Sequence, residues 1–265
     1  MPRKLFPLER KPLFTAISSE DSVAGLVRQA RNALYAGADA LCVELKNLPQ
    51  EERTAERLRP LMEATPLPVM CCLYRNDTLK KDDDARQVDL LAALDAGAAC
   101  IDVPGDLFDK SPREWTRNPR AIAKQKRLLS KIHRAGGQVI MSSHIMMTEA
   151  HAYLPPEEVL AQLSDFASRG ADIVKLVQTA DTDEEFLGAL RATMLCNREL
   201  KTPFVHLVAG RFATLHRNVA PALGIALTFC VVDYNTPFAM PQPQVGAMKS
   251  VYSNLHFHID QVGGQ

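Results

Sequence analysis

The sequence has no surplus of either charge. Lys and Arg number 31 against 31 Asp and Glu, which gives no support to a nucleic-acid partner or an anionic membrane surface. No apolar stretch approaches the length of a transmembrane helix, and Met1-Pro2-Arg3-Lys4 leads into charged sequence rather than a signal-peptide core. The expectation is a soluble, cytoplasmic protein with neither a nucleic-acid nor a membrane partner. Low-complexity sequence is also lacking, apart from a short Gly263-Gly264-Gln265 end. No Gly-x-Gly-x-x-Gly follows the first apolar run, where a dinucleotide-binding open sheet would want it. A disulfide framework is missing as well. Of the six cysteines, Cys42, Cys71, Cys72, Cys100 and Cys230 fall in apolar runs and Cys196 near a helix end, as small buried hydrophobes with free thiols do.

What the chain does have is a period. Eight apolar runs recur: 13–17, 41–45, 68–73, 101–103, 140–144, 172–177, 203–208 and 226–232. Each is nearly continuous rather than alternating, the signature of parallel strands buried on both faces. Helical patterns lie between them. Val23, Leu26, Val27, Ala30 and Leu34 share one helical face, and Val159, Leu160, Leu163, Phe166 and Ala167 another. Pro155-Pro156-Glu157-Glu158 reads as a helix start, and Thr182 with Glu185 as a capping box. Gly37, Gly97, Gly136 and Gly170 each end a helical pattern just before an apolar run. At 265 residues, near the roughly 250 of a (β/α)8 barrel, the chain reads as one α/β TIM-barrel domain over 1–265.

In such a barrel the chemistry lies at the C-terminal rim, so the polar residues that end the runs matter most. Glu44 follows the second run, Arg75 the third, His144 the fifth and Lys175 the sixth. The seventh leads through Arg211 to Arg217, and the eighth into a Pro- and Gln-rich loop from Asp233 to Gln244. A lysine among Ile173, Val174, Leu176 and Val177 is unusual, because burying an ammonium without a partner is costly and depresses its pKa. A neutral amine attacks ketones, and an imidazole beside it supplies acid–base catalysis.

Plainer readings stand beside these. Lys175 is also compatible with a structural lysine paired to a carboxylate such as Glu44, His144 with a satisfied core histidine, and Glu44 with a partner for Arg75. Arg211 and Arg217 fit a solvated loop and helix, and Lys80-Lys81-Asp82-Asp83-Asp84 a solvated helix start. His256-Phe257-His258 has a two-residue metal spacing without a third ligand nearby, so no metal is expected.

Glu44 within Ala38–Leu45, His144 within Val139–His144 and Lys175 within Ala171–Leu176 resemble the type I 3-dehydroquinate dehydratases. The resemblance runs in strand order through most of the chain. It implies a TIM barrel and a cofactor-free lyase that dehydrates 3-dehydroquinate to 3-dehydroshikimate through a lysine Schiff base, in the shikimate or quinate pathway. It also implies a homodimer. By the same resemblance Lys175 is the nucleophile and His144 the proton shuttle, also assisting carbinolamine formation and dehydration. Glu44 orients His144, Arg217 holds the substrate carboxylate, and Arg75 assists placement.

The chain departs from the family pattern at three points. Lys46 stands where an arginine is usual. The glutamate expected beyond Arg75 is absent, leaving an acid among Asp82, Asp83 and Asp84 to replace it. The last loop, Phe238 to Gln244, has no serine, and Gln244 or Gln242 takes the place of the substrate-binding glutamine. These changes bear on which substrate is selected more than on reaction class. The alternatives are a Schiff-base lyase or aldolase acting on another hydroxy-ketone, and a catalytically silent ligand-sensing barrel.

Overall fold

A computed structural model describes residues 4–9, 12–75, 81–147, 149, 152–234 and 241–255. Strands and helices alternate along the chain: β1 Leu13–Ser18, α1 Val23–Tyr35, β2 Ala40–Glu44, α2 Ala55–Glu63, β3 Val69–Cys72, α3 Asp83–Ala96, β4 Cys100–Pro104 and α4 Pro119–Arg134. The second half continues with β5 Gln138–His144, α5 Pro156–Ser168, β6 Ile173–Thr179, α6 Asp183–Glu199, β7 Phe204–Ala209, α7 Ala213–Val219, β8 Leu227–Cys230 and α8 Val245–Asn254. All strand pairs are parallel, in the order β7-β6-β5-β4-β3-β2-β1-β8. The β1–β8 pairing, with Leu13 opposite Leu227, curls the sheet round. Ala226 N donates to Phe204 O at 2.7 Å across the remaining seam. The fold is a nearly closed (β/α)8 barrel, as the eight apolar runs predict.

Local signals act where the sequence places them. Thr182 and Glu185 form the reciprocal capping box of α6. Gly37, Gly97, Gly136 and Gly170 all have positive φ, between 77° and 122°, and turn the chain from helix into strand. One face differs in detail: Ala33 rather than Leu34 completes the buried stripe of α1, and Leu34 is 37% exposed. All six cysteines are buried free thiols.

Strand β6 corrects the position of Lys175. It was expected at the end of its run, but the strand continues four residues beyond it to Thr179. Register pairs Lys175 with Ser142 and Val177 with His144, so the amine sits deeper in the barrel than the imidazole. Among the described residues no helix is long and apolar enough to cross a membrane.

Candidate active site

Alternate residues of a barrel strand face its interior. Here the inward positions toward the C-terminal rim include Glu44, His144, Lys175 and Phe229, which together with Cys42, Lys46, Tyr74, Arg75, Arg217 and Gln242 line a cavity of about 270 Å³. A larger cavity, about 460 Å³, opens at the opposite end among Lys4, Arg59, Glu63 and Asp95. It has no histidine in its wall, and in this fold the chemistry sits at the C-terminal rim. The smaller cavity is therefore the candidate site.

Lys175 reaches it as a buried amine with company. Its Nζ donates to Tyr74 Oη at 3.0 Å and lies 3.7 Å from Asp102 Oδ2. Asp102, on β4, also accepts from Tyr74 Oη and Ser142 Oγ, each at 2.5 Å. The ring of Phe229 covers the amine at 4.8 Å from its centroid. Neither Asp102 nor Tyr74 was among the residues singled out from sequence. A signal existed for Asp102, since an acid between Ile101 and Val103 in a strand is as anomalous as Lys175; Tyr74 carried none.

His144 ends β5, and its orienting carboxylate is Glu114 rather than the expected Glu44. Glu114 Oε2 accepts from the His144 backbone N at 2.7 Å and meets its Nδ1 at 3.4 Å. Burial alone would push the Glu114 carboxyl up, but hydrogen bonds and charge from His144, helped by Arg75, outweigh it and hold the group below its ordinary value. Glu114 comes from the loop between β4 and α4, where Phe108, Arg113 and Glu114 itself have positive φ of 72°, 60° and 46°. Such backbone costs on the order of 1 kcal/mol or more per residue and persists only where surroundings impose it.

The surroundings of that loop are specific. Ser143 Oγ and Gln162 Nε2 hold Arg113 O at 2.6 and 3.0 Å, and Asp83 accepts from Phe108 N at 2.7 Å. Arg169 donates to Gly105 O and Thr116 O, each at 2.8 Å. At Gly105 any Cβ would lie 2.1 Å from Phe166 and 2.6 Å from Glu114 O, so only glycine permits this path. No local motif marks Glu114, because its role arises from a contact 30 residues away in sequence.

Glu44 lies in the same cavity on different partners. Its Oε1 accepts from Lys46 N at 3.2 Å, and Oε2 lies 3.7 Å from Cys72 Sγ. Burial raises its carboxyl to about 7, with the charge and backbone N–H of Lys46 opposing. It does not pair with Arg75. That arginine grips Asp83 through Nε and Nη2 at 3.0 and 2.7 Å and Asp106 through Nη1 at 2.5 Å, with Nη2 also on Asp106 O at 3.1 Å. Arg75 borders the cavity, but its fork is already engaged by two carboxylates. Besides bordering the cavity, Arg75 joins β3, α3 and the loop that carries Glu114. Of the three adjacent acids, Asp83 is the one involved. It turns to Arg75 and Arg86 and is absent from the cavity wall.

Arg217 is not the solvated helix residue of the plainer reading. It is 5% exposed and lines the cavity, and its Nη1 donates to Gln242 Oε1 at 3.0 Å. Nε has no partner among the described residues. Burial pushes this guanidinium down to about 10, and no carboxylate among the described residues pairs with it. Arg211, by contrast, is exposed. Gln242 takes the cavity position expected of Gln244; Gln244 instead pairs its backbone with Val231 and caps α8. Phe238, Ala239 and Met240 of that loop lie outside the described residues, as do His256 and His258. Among the described residues no cluster of three or more His, Cys, Asp or Glu could hold a metal ion.

A barrel that buries a lysine amine beside hydroxyl, carboxylate and imidazole groups is of the class equipped for amine–carbonyl chemistry. The chain belongs to the type I 3-dehydroquinase family, whose model matches residues 17–258. It is 26% identical to the 3-dehydroquinate dehydratase of Methanosarcina acetivorans over 94% of this chain and 97% of that protein. The match to the enzyme of Alkaliphilus oremlandii, also 26% identical, covers 49% of each chain, so this chain spans about half the length of that relative. In three dimensions it resembles the Clostridium difficile type I 3-dehydroquinate dehydratase, described with covalently modified comenic acid, at a TM-score of 0.74. That likeness covers 92% of each chain at 16% identity and bears on the fold.

Proposed function

We propose that this chain dehydrates 3-dehydroquinate to 3-dehydroshikimate through an imine on Lys175. The observation that carries the reading is a buried amine facing a cavity at the C-terminal rim, with an imidazole on the neighbouring strand. Family membership and the names of the relatives support the reaction itself. Condensation of Nζ with the C3 ketone gives an iminium, and its nitrogen draws electrons from C2 so that a modest base can remove the C2 proton. His144 takes that proton and returns one to the departing C1 hydroxyl. Glu114 holds the ring and stabilises the imidazolium between these steps. Arg217, a buried cation with no carboxylate partner among the described residues, receives the substrate carboxylate, and Gln242 orients both. Glu44 and Lys46 form the opposite wall and contact the ring hydroxyls.

The wider reading is a homodimeric cytoplasmic enzyme of the shikimate or quinate pathway, with one catalytic domain over 1–265 and no cofactor. A second reading, the same imine chemistry on another hydroxy-ketone, is favoured by one observation: Arg75 is committed to Asp83 and Asp106. The test is turnover. Purified protein mixed with 3-dehydroquinate should develop the ultraviolet absorbance of the conjugated enone, and Lys175→Ala should not. A folded wild-type protein without that absorbance, but trapped by borohydride with another hydroxy-ketone, would replace the first reading with the second.

A further inference from the structure

The side chain of Tyr74 touches both halves of the site. Its hydroxyl accepts from Lys175 Nζ at 3.0 Å and donates to Asp102 Oδ2 at 2.5 Å. Its ring meets that of His144 edge-on, with centroids 4.5 Å apart. The same Asp102 oxygen lies 3.7 Å from Nζ, too far for a direct hydrogen bond, so Tyr74 bridges the ion pair. Ser142 occupies the other oxygen and fixes the carboxylate. The amine and the carboxylate are both buried, their side chains 5% and 1% exposed, so bulk water is not the ready acceptor for the ammonium proton.

We propose that Tyr74 is a further proton-transfer residue for imine formation, linking Lys175 to Asp102 and acting beside His144. The inference rests on the imine reading above. The Lys175 ammonium gives a proton to Tyr74 Oη as the phenol passes its own to Asp102 Oδ2. This converts a buried ion pair into a neutral amine and a neutral carboxyl. The amine adds to the ketone, the nitrogen transfers one proton to the carbonyl oxygen, and a carbinolamine forms. The proton stored on Asp102 returns through Tyr74 to the carbinolamine oxygen, which leaves as water, and the nitrogen lone pair closes the iminium. Overall, ammonium plus ketone gives iminium plus water, with no other reactant.

Two features fit this role. Burial and the charge of Asp102 hold the Tyr74 phenol well above its ordinary value, so it relays protons without resting as phenolate. Its hydrogen bond also shares the Asp102 charge and weakens the carboxylate's direct hold on the ammonium.

The test uses the smallest carbonyl, so it does not depend on substrate identity. The protein is methylated with formaldehyde and cyanoborohydride across pH 6 to 10, with labelling at Lys175 mapped by mass spectrometry against exposed Lys201. Tyr74→Phe keeps the ring against His144 and removes the bridge. Labelling of Lys175 at neutral pH should fall at least about tenfold, with Lys201 unchanged. Asp102→Asn removes the group that stores the proton, so labelling of Lys175 at neutral pH should fall there too; it also decides the matter if Tyr74→Phe does not fold. Unchanged or increased labelling of Lys175 in the folded variants would overturn the proposal. Failure of the wild type to dehydrate 3-dehydroquinate would overturn the substrate reading and leave the labelling to judge Tyr74.

Discussion

Replacing Glu114 by glutamine tests what holds His144 ready for proton transfer. The carboxylate lies 3.4 Å from His144 Nδ1, and both side chains are about nine-tenths buried. At an effective dielectric of about 20, an imidazolium and a carboxylate at that separation attract by ~5 kcal/mol. Both charges pay to leave water, which offsets part of this. A net loss of about 3 kcal/mol in the step that charges the imidazole corresponds to ~10²-fold in kcat. Glutamine keeps an oxygen for the His144 backbone N–H, so the strained loop keeps its anchor and Tm should move little. The assay is kcat from enone absorbance, beside thermal melts of the same preparations. A Glu114→Gln enzyme with wild-type kcat would refute the assignment. If Glu44→Gln lost the hundredfold instead, the sequence-based role of Glu44 would be restored.

Three further outcomes are expected. Arg217→Met should raise KM by about 10²-fold or more, from loss of a charge-assisted contact of ~3 kcal/mol, yet raise the Tm of the ligand-free protein by removing an underpaired buried cation; a lowered Tm would contradict the latter. Gly105→Ala should lower stability by about 1–3 kcal/mol in denaturant melts and kcat with it, because the new methyl meets Phe166 and the Glu114 carbonyl; wild-type values for both would show that the loop yields. Burial holds His206 down to about 3 and His216 well below its ordinary value. Both contribute stability that is present above pH 6.5 and lost as pH falls toward 3, since only the unfolded chain takes up these protons in that window. Tm should fall through it, and His206→Gln should flatten the slope; an unchanged slope would remove His206 from the account.

The barrel was legible because its signals are local. Parallel strands buried on both faces read as apolar runs, and the glycines before them mark backbone that only glycine adopts cheaply. Lys175 and His144 were legible for a related reason, as ionisable groups in sequence otherwise committed to the core. Glu114 was not, since it reaches His144 from a strained loop held by Ser143, Gln162 and Arg169, none of them near it in sequence. The partners of Arg75 were not legible either, since Asp83 and Asp106 converge on it from two other elements. Gln242 and Gln244 differ by two places. Only the pairing of Val231 with Gln244 decides which faces the cavity.

The central claim is that Lys175 is the nucleophile. Borohydride added during turnover of 3-dehydroquinate reduces an imine where it forms, and peptide mass spectrometry then locates the adduct. The account predicts one adduct, on Lys175, absent from Lys175→Ala and still formed in His144→Ala, where turnover slows after the imine. Normal dehydration by Lys175→Ala, or an adduct confined to another lysine, would contradict it.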